Sequence, residues 1–286
     1  MPSIPFRSSE SSVAIPKRAP IAVYADLLAL PEGIHRSTLP DGRRTFIKIQ
    51  RRVPAGFFEA EARGLALLRS AGSLRVPNVL AVDEHGIVLE DLGVGRATSD
   101  TLQRAGRGLA TLHAVKAARF GLATPGWCGD SAQDNTEDAD GFRFFAERRL
   151  LPQARRALDA GHLDAADMQR VENLCAHLRE LLPSRPPVLV HGDLWLGNLH
   201  ACASGELALI DGAAVHHGWA EGDLAMLTLF GEPAPEFFSA YEAEVGIRPD
   251  WRDRAPLLNL YHLLNHLNLF GNGYLGGVRT VLARYA

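Results

Sequence analysis

The chain has 286 residues, of which 47% are hydrophobic and 22% charged, and its formal net charge is −3. This length predicts one or two domains with a sizeable core, and the small charge gives no electrostatic case for nucleic acid or membrane partners. No apolar run approaches membrane-spanning length. The three cysteines have neither a disulfide nor a metal-ligand spacing, which is typical of the reducing cytoplasm. We expect a cytoplasmic protein and favour a monomer.

The first half of the chain predicts a small sheet after a loose arm. Residues 1–20 are rich in Ser and Pro and have no hydrophobic period, so we expect a disordered leader. Two strand-like runs flank the turn at Pro40-Asp41-Gly42, which predicts a β-hairpin. The second run contains Lys48, one of only three lysines in the chain. Because the chain uses arginine at almost every other basic position, this lysine indicates a site that needs a compact ammonium. The alternative is that Lys48 is simply an exposed lysine on a strand.

Residues 56–70 predict a helix that carries a carboxylate on its apolar face. Phe58, Glu61, Leu65 and Leu68 share one side of this helix. An unpaired carboxylate there would be costly to bury, so we expect Glu61 to pair with Lys48. Residues 76–93 then supply two more strands, and the second of them, IVLEDL, leads out of the sheet.

From residue 99 onward the sequence is mostly helical. Amphipathic patterns predict helices over residues 101–115, 141–158 and 162–182 and two closing helices after residue 234, whereas residues 127–135 read as a loop. Asp164 or a neighbour is the expected N-cap of the third helix. His113 is interpreted as a structural histidine. His262 and His266 are one turn apart, but without an HExxH context we favour a structural role over a metal pair.

The pattern that points most clearly to chemistry lies between residues 188 and 211. A short buried strand ends at His191-Gly192-Asp193, Asn198 follows five residues later, and a second apolar strand over residues 207–210 leads to Asp211. This is the layout of a kinase catalytic centre, in which Asp193 accepts the proton of a substrate hydroxyl while Asn198 and Asp211 hold Mg²⁺. The alternative is a plain turn, because Asp and Gly are common turn residues.

A kinase centre assigns roles to the earlier residues. Lys48 would pair with the α- and β-phosphates of ATP and with Glu61. Residues Glu90, Asp91 and Leu92 would form the hinge, whose backbone binds adenine. One feature departs from a kinase, since the segment expected to cover the phosphates, PEGIHRST, contains only the glycine Gly33. Either other contacts hold this segment, or nucleotide binding is weak.

Four segments resemble the fructosamine kinase (ketoamine kinase) family. They are HGDLWLGN, LIDGAAVHHGWAEGDLAMLTLFG, FFAERRL and LYHLLNHLNLFG, and the resemblance extends from about residue 30 to 275. The family belongs to a wider group with the aminoglycoside and choline kinases. The resemblance implies a bilobal α+β fold of the protein-kinase type, with a small antiparallel-sheet lobe over residues 21–92 and a larger, mainly helical lobe over residues 93–286. It also implies ATP and Mg²⁺ as cofactors.

The resemblance further implies phosphorylation of a ketoamine, a sugar linked to an amine after glycation, at its third carbon. Trp195, His266 and Glu221 are then the expected substrate-binding residues. A core position remains open for Trp195, and a structural role remains open for His266. Two other functions also remain open, namely a related kinase acting on an aminoglycoside, a choline-like compound or another sugar, and a catalytically silent nucleotide-binding module.

Overall fold

A computed structural model describes residues 21–246 and 250–286, so the predicted leader lies outside the described residues. Its N-terminal part is a four-stranded antiparallel sheet with the strand order β1-β2-β4-β3. The strands are β1 (Gly33–Thr38), β2 (Arg44–Ile49), β3 (Val79–Asp83) and β4 (Gly86–Glu90). Strands β1 and β2 form the hairpin that the sequence predicted, and the turn between them includes Pro40-Asp41-Gly42.

Two helices pack on this sheet. Helix α1 (Ile21–Leu28) was not predicted, because its eight residues are too few to show a helical period. Its Tyr24 is buried in a small apolar cluster with residues of β2 and β4. Helix α2 (Phe57–Ser70) confirms the prediction for residues 56–70, and its buried face includes Phe58 and Leu65.

The remainder of the chain is mainly helical with short paired strands. Its helices are α3 (Ser99–His113), α4 (Gly141–Phe145), α5 (Leu151–Asp159), α6 (Ala165–Leu181), α7 (Ala220–Met226), α8 (Pro235–Val245), α9 (Trp251–Leu258), α10 (Leu260–Phe270) and α11 (Leu275–Tyr285). Its strands are β5 (Gly126–Cys128), β6 (Ser131–Gln133), β7 (Val188–Val190), β8 (Leu199–Ala201), β9 (Leu207–Leu209) and β10 (His216–Gly218). The antiparallel pairs are β5–β6, β7–β10 and β8–β9.

Three predictions for this region need correction in detail. Instead of two closing helices after residue 234, the described part of the chain has four, α8 to α11. The expected loop over residues 127–135 contains the short hairpin of β5 and β6. The expected helix over residues 141–158 is interrupted by a π-helical turn, Ala146–Leu150, between α4 and α5. Pro152 follows this turn and has no N–H to donate. The Arg148 carbonyl instead accepts a hydrogen bond from the Arg149 side chain. At α6, the predicted cap is confirmed, since Asp164 forms a capping box with Asp167.

One hydrophobic core runs through both parts of the molecule. It includes Phe58 and Leu65 of α2 together with Leu109 of α3, Leu224 of α7 and Trp251 of α9. Helix α2 is therefore fixed to the helical part as well as to the sheet. The lobe boundary at residues 92 and 93 stays a prediction. Among the helices described, none is long and apolar enough to cross a membrane.

Candidate active site

The loop after β7 is held in place by one buried carboxylate. Asp223 of α7 accepts hydrogen bonds from the amides of His191 and Gly192, with N···O distances of 2.7 and 2.9 Å. Gly192 has a φ of 80°, and a Cβ there would lie 2.3 Å from the Ala214 carbonyl oxygen. Glycine is therefore required at this position by both conformation and space. Asp193, the next residue, is delivered to the cleft by this fixed turn.

Asp223 is itself oriented by a histidine. The Nε2 atom of His113 lies 3.2 Å from an oxygen of Asp223, and its Nδ1 lies 2.8 Å from the Tyr241 hydroxyl. Burial works to raise the pKa of Asp223, but the hydrogen bond and charge of His113 and the His191 amide outweigh it, so the pKa is lowered. His113 thus has the structural hydrogen-bonding role that the sequence predicted.

Asp193 has the electrostatic environment of a general base. Burial raises the pKa of its carboxyl group to about 7, and the negative charges of Asp211 and Asp223 add to this effect. A base whose pKa lies near the working pH is the most effective proton acceptor. The side-chain nitrogen of Asn198 donates to the Asp193 carbonyl oxygen at 2.8 Å, which closes the loop that follows β7.

Lys48 and Glu61 form the predicted ion pair. The Nζ atom of Lys48 lies 2.7 Å from Glu61 Oε1 and 3.6 Å from Asp211 Oδ2. Burial by itself would lower the pKa of Lys48. The negative charges of Glu61 and Asp211 raise the pKa by more than burial lowers it, so the ammonium stays protonated. The ammonium of Lys48, which the sheet supplies, therefore lies in the cleft between the carboxylates of Glu61 on α2 and Asp211 in the helical part.

The segment that carries Asp211 lies in backbone contact with α2. A Cβ on Gly64 would lie 1.8 Å from the Gly212 carbonyl oxygen, so no side chain fits between the two segments. Asp211 has a φ of 62°, and it is the only non-glycine residue with a positive φ in the described part of the chain. Such conformations cost energy and cluster at functional sites, where surrounding contacts maintain them.

Asn198 and Asp211 suit a bound Mg²⁺ ion. Both line the cleft, and the hydrogen bond from the Asn198 nitrogen leaves its side-chain oxygen as the remaining polar atom. The Asp211 side chain is about half exposed at 47%. Amide and carboxylate oxygens are the ligands that Mg²⁺ takes in nucleotide sites. The residues present therefore fit the ion that a kinase centre requires.

The cleft between the two parts has a volume of about 500 Å³. Its lining joins the residues just described to Trp195 and to Glu32, Gly33 and Ile34, which precede and begin β1. Trp195 is 41% exposed, so it lies in the cleft and not in the core beneath the loop. Gly33 has a φ of 134°, which favours glycine, but no further glycine accompanies it in this segment.

In the segment predicted as the hinge, Glu90 and Asp91 use their side chains to hold the local backbone. Glu90 bonds to Arg75 and Asn78, and Asp91 bonds to Arg44 and to the Gly93 amide. The Leu92 carbonyl accepts from the Ala203 amide, at 3.0 Å. Among the residues described, the Leu92 amide has no acceptor, so this donor is available to a ligand. Glu90, Asp91 and Leu92 are not part of the lining of the cleft described above.

The three predicted substrate residues do not share one environment. His266 of α10 stacks on Phe230 with ring centroids 4.8 Å apart, and within the described part of the chain its Nδ1 has no hydrogen-bonding partner. Glu221 is different, because both of its oxygens bind Arg254 at 2.8 Å in a largely buried ion pair. This pair satisfies the carboxylate, so we assign Glu221 a structural role in place of the predicted substrate contact.

Sequence reasoning missed two neighbours of Asp193. The Nδ1 atom of His262 lies 3.8 Å from Asp193 Oδ1 and 3.9 Å from the sulfur of Cys128. Burial lowers the pKa of His262 to about 3, so its imidazole is neutral. No local spacing could reveal this group, because Cys128, Asp193 and His262 come from three distant segments of the chain.

Comparisons with known proteins identify the relatives of this chain. The family model described as fructosamine kinase matches residues 33–286. A Synechocystis protein described as a probable ketoamine kinase is 38% identical over 248 residues, which cover 82% of this chain and 81% of that protein. A chloroplastic protein-ribulosamine 3-kinase of Arabidopsis thaliana is 32% identical over 256 residues, covering 86% of this chain and 77% of the other.

A solved structure gives the same result at the level of the fold. The crystal structure of a candidate fructosamine-3-kinase from Thermobifida fusca superposes with a TM-score of 0.80 at 35% sequence identity, covering 87% of this chain and 89% of the other. The predicted α+β, kinase-like fold is confirmed. The family match, the relatives and the Asp193–Asn198–Asp211 centre lead to one conclusion: the chain belongs to the fructosamine kinase family of phosphotransferases.

Proposed function

We propose that this protein transfers the γ-phosphoryl group of ATP to the 3-hydroxyl of the sugar in a small ketoamine, such as a ribulosamine or a fructosamine. The observation that carries the proposal is the position of Asp193. Its pKa of about 7 is that of a proton acceptor, and it lines the same cleft as Lys48 and Asp211. We further propose that the protein acts as a monomer in the cytoplasm.

Each residue of the centre has one task in this mechanism. Asp193 accepts the proton of the sugar hydroxyl as its oxygen attacks phosphorus. Lys48, held by Glu61, neutralises the α- and β-phosphates, and the Leu92 amide orients adenine. Asn198 and Asp211 would hold Mg²⁺, which supplies positive charge to the phosphate oxygens. Asp223 keeps the catalytic loop in position through the amides of His191 and Gly192.

Two aromatic features support a sugar as the acceptor. Trp195 is exposed in the cleft two residues after the base, and an indole face suits the C–H surface of a sugar, while its N–H can donate to a hydroxyl. His266 retains an unpartnered Nδ1 among the described residues, and a hydroxyl or carbonyl of the sugar would complete its hydrogen bonding. The relative from Arabidopsis thaliana named as a ribulosamine 3-kinase supports the 3-hydroxyl as the acceptor position.

The test is a turnover assay over small glycated amines that differ in sugar length. We expect ATP-dependent phosphorylation of a ribulosamine or a fructosamine, and none of choline or a kanamycin-like aminoglycoside. Asp193→Asn retains the shape of the side chain but cannot accept the proton, so kcat should fall by roughly 10²–10⁴-fold while nucleotide still binds. Phosphorylation of an aminoglycoside without any ketoamine activity would contradict the substrate assignment and leave the kinase mechanism intact.

A second candidate, a silent nucleotide-binding module, is favoured by the segment that leads into β1 and includes its first residue. Only Gly33 is available there for a close approach to phosphates, and Glu32 adds a negative charge to the cleft lining. Thermal unfolding with ATP distinguishes the two functions when it is combined with the turnover assay. Stabilisation by ATP that requires Mg²⁺ and Asp211, together with turnover, supports the kinase. Stabilisation without turnover of any acceptor supports the silent module.

A further inference from the structure

A thiol, an imidazole and the carboxylate of Asp193 converge beside the cleft. The sulfur of Cys128, Nδ1 of His262 and an oxygen of Asp193 all lie within 4.8 Å of one another. Two of the separations are 3.9 Å, from sulfur to Nδ1, and 3.8 Å, from Nδ1 to the carboxylate. Thiol and imidazole are both buried, whereas Asp193 opens into the cleft.

A hydrogen bond from Asn265 connects the segment that carries Cys128 to the helix that carries His262. Asn265 lies on α10 one turn after His262, and its side-chain nitrogen donates to the Cys128 carbonyl at 3.1 Å and approaches the Cys128 sulfur at 3.4 Å. Cys128 ends β5, which is paired with β6. The hairpin and α10 are thereby joined at the point where the thiol and the imidazole meet, so the group is preorganised.

We propose that Cys128, His262 and Asp193 form a binding site for a thiophilic divalent ion, with Zn²⁺ as the representative. Zinc takes sulfur, imidazole and carboxylate ligands at about 2.0–2.3 Å and accepts three protein ligands plus a water molecule. Bonds of that length place tetrahedral ligands about 3.3–3.8 Å apart. The two measured separations need to shorten by a few tenths of an ångström, and the separation between the sulfur and the carboxylate oxygen, which is at most 4.8 Å, by up to about 1.2 Å. Mg²⁺ does not take thiolate ligands, which separates this site from the one at Asn198 and Asp211.

The proton balance of binding is simple. The Cys128 thiol releases one proton as its sulfur bonds to the metal, the neutral His262 binds through Nδ1, and the Asp193 carboxylate binds through one oxygen. Where Asp193 is still protonated, because its pKa is about 7, its carboxyl group releases a second proton on binding. The complex therefore gains two positive charges and loses one proton, or two where Asp193 was protonated. Cys175 and Cys202 are not members of the group, so they serve as internal controls.

Metal binding has a consequence that depends on the proposed function. The lone pair of Asp193 that would accept the substrate proton is then used by the metal. Micromolar zinc should therefore inhibit phosphoryl transfer, and added Mg²⁺ should not restore it. Binding itself needs no kinase activity, so the two statements can fail separately.

The binding test is a titration of the full-length protein with Co²⁺, whose absorption reports its ligands. We expect a thiolate-to-cobalt charge-transfer band and the visible bands of a four-coordinate ion at one equivalent, both lost when Zn²⁺ is added. Removing a group that only hydrogen-bonds to a metal ligand lowers metal affinity by about 10–100-fold. Cys128→Ser and His262→Gln each remove a ligand itself, so each should lower the affinity for Co²⁺ by at least about tenfold. Cys175→Ser is the matched control and should bind as the wild type does.

Three results separate the possible outcomes. Absence of the thiolate band in the wild type, or unchanged affinity in Cys128→Ser or His262→Gln, overturns the site. Thermal unfolding with a chelator checks that each variant folds, and if neither variant folds, the wild-type spectrum decides. Zinc should inhibit the wild type and Cys175→Ser but spare Cys128→Ser, with each rate divided by its own metal-free rate. Binding without inhibition supports the metal site and contradicts Asp193 as the base.

Discussion

Gly64 and Gly212 bring two segments into backbone contact, so that a Cβ on Gly64 would lie 1.8 Å from the Gly212 carbonyl oxygen. One segment, α2, carries Glu61, and the other follows Asp211 directly. Because Glu61 and Asp211 both approach Lys48, this contact sets the spacing of all three charges. The glycines thus fix the charged centre without taking part in its chemistry.

The first prediction tests this contact. Gly64→Ala should move α2 away from Asp211, lower stability by about 1–3 kcal/mol as overpacking does, and weaken Mg²⁺-dependent nucleotide binding. Gly276→Ala is the matched control, since it also lies in a helix but meets nothing within 4 Å. The control should be neutral or stabilising by up to about 1 kcal/mol. Urea unfolding and a nucleotide titration measure both effects, and equal behaviour of the two variants would contradict the argument.

The second prediction concerns the shape of the cation. Lys48→Arg should reduce kcat/KM nearly as much as Lys48→Ala, because a planar guanidinium cannot occupy the position of a point charge enclosed by Glu61 and Asp211. Lys116 is exposed, so Lys116→Arg is a control that should retain full activity. An active Lys48→Arg enzyme would show that any cation suffices at this position.

The third prediction links Asp223 to acid stability. Its pKa is lowered in the folded protein, so its contribution is fully present above the ordinary aspartate pKa, near 4, and is lost as pH falls through the lowered value. In Asp223→Asn, the side-chain NH₂ group faces the amide of His191 or of Gly192. Both groups are donors, so one of the two hydrogen bonds is lost. The variant should be less stable than the wild type by about 1–3 kcal/mol at pH 7.

The pH dependence identifies the charge as the cause. As pH falls below the ordinary aspartate pKa, near 4, the unfolded wild type takes up a proton before the folded protein does, so the difference between the two proteins should shrink until the lowered pKa of folded Asp223 has been passed. Asp159→Asn, at an exposed position, should stay within about 0.5 kcal/mol of the wild type at every pH. Urea unfolding at several pH values gives the comparison. A difference that is constant with pH would mean that shape, and not charge, is what Asp223 contributes.

The sequence was most informative where chemistry and periodicity agreed. Glu61 could be paired with Lys48 because a carboxylate on an apolar helix face demands a cation, and the rarity of lysine singled out Lys48. Asp193, Asn198 and Asp211 follow two short strands within one segment, so their spacing alone indicated a shared site. The structure places these residues around one cleft.

The rest depended on long-range packing that no local pattern contains. Cys128 and His262 are 134 positions apart and meet only because the hairpin of β5 and β6 packs on α10. Glu221 was expected to bind substrate, but its partner Arg254 lies on another helix, 33 residues away. Helix α1 is too short to show a helical period. For Cys128, His262 and Glu221 the missing information was which elements are neighbours, whereas for α1 the local pattern itself was too short.

The last prediction separates the sugar from the nucleotide. Trp195→Ala removes the aromatic face in the cleft, and His266→Ala removes the unpartnered Nδ1, so each should lower kcat/KM for a ribulosamine or fructosamine while KM for ATP stays nearly unchanged. Trp195→Phe should recover part of the loss, because it restores the face but not the N–H. His177→Ala, at an exposed position that bonds only within its own helix, is the control for His266.

Substrate analogues sharpen this result. A site that hydrogen-bonds a sugar hydroxyl should reject the analogue that lacks it, because its own polar groups are then left unpaired. If His266 makes that bond, the analogue should be a poor substrate for the wild type, and His266→Ala should no longer distinguish the two compounds. Equal rise of KM for ATP and for the sugar would instead indicate that the substitutions disturb the cleft as a whole, and His266 would then be a structural histidine of the aromatic cluster with Phe230, Phe270 and Tyr274.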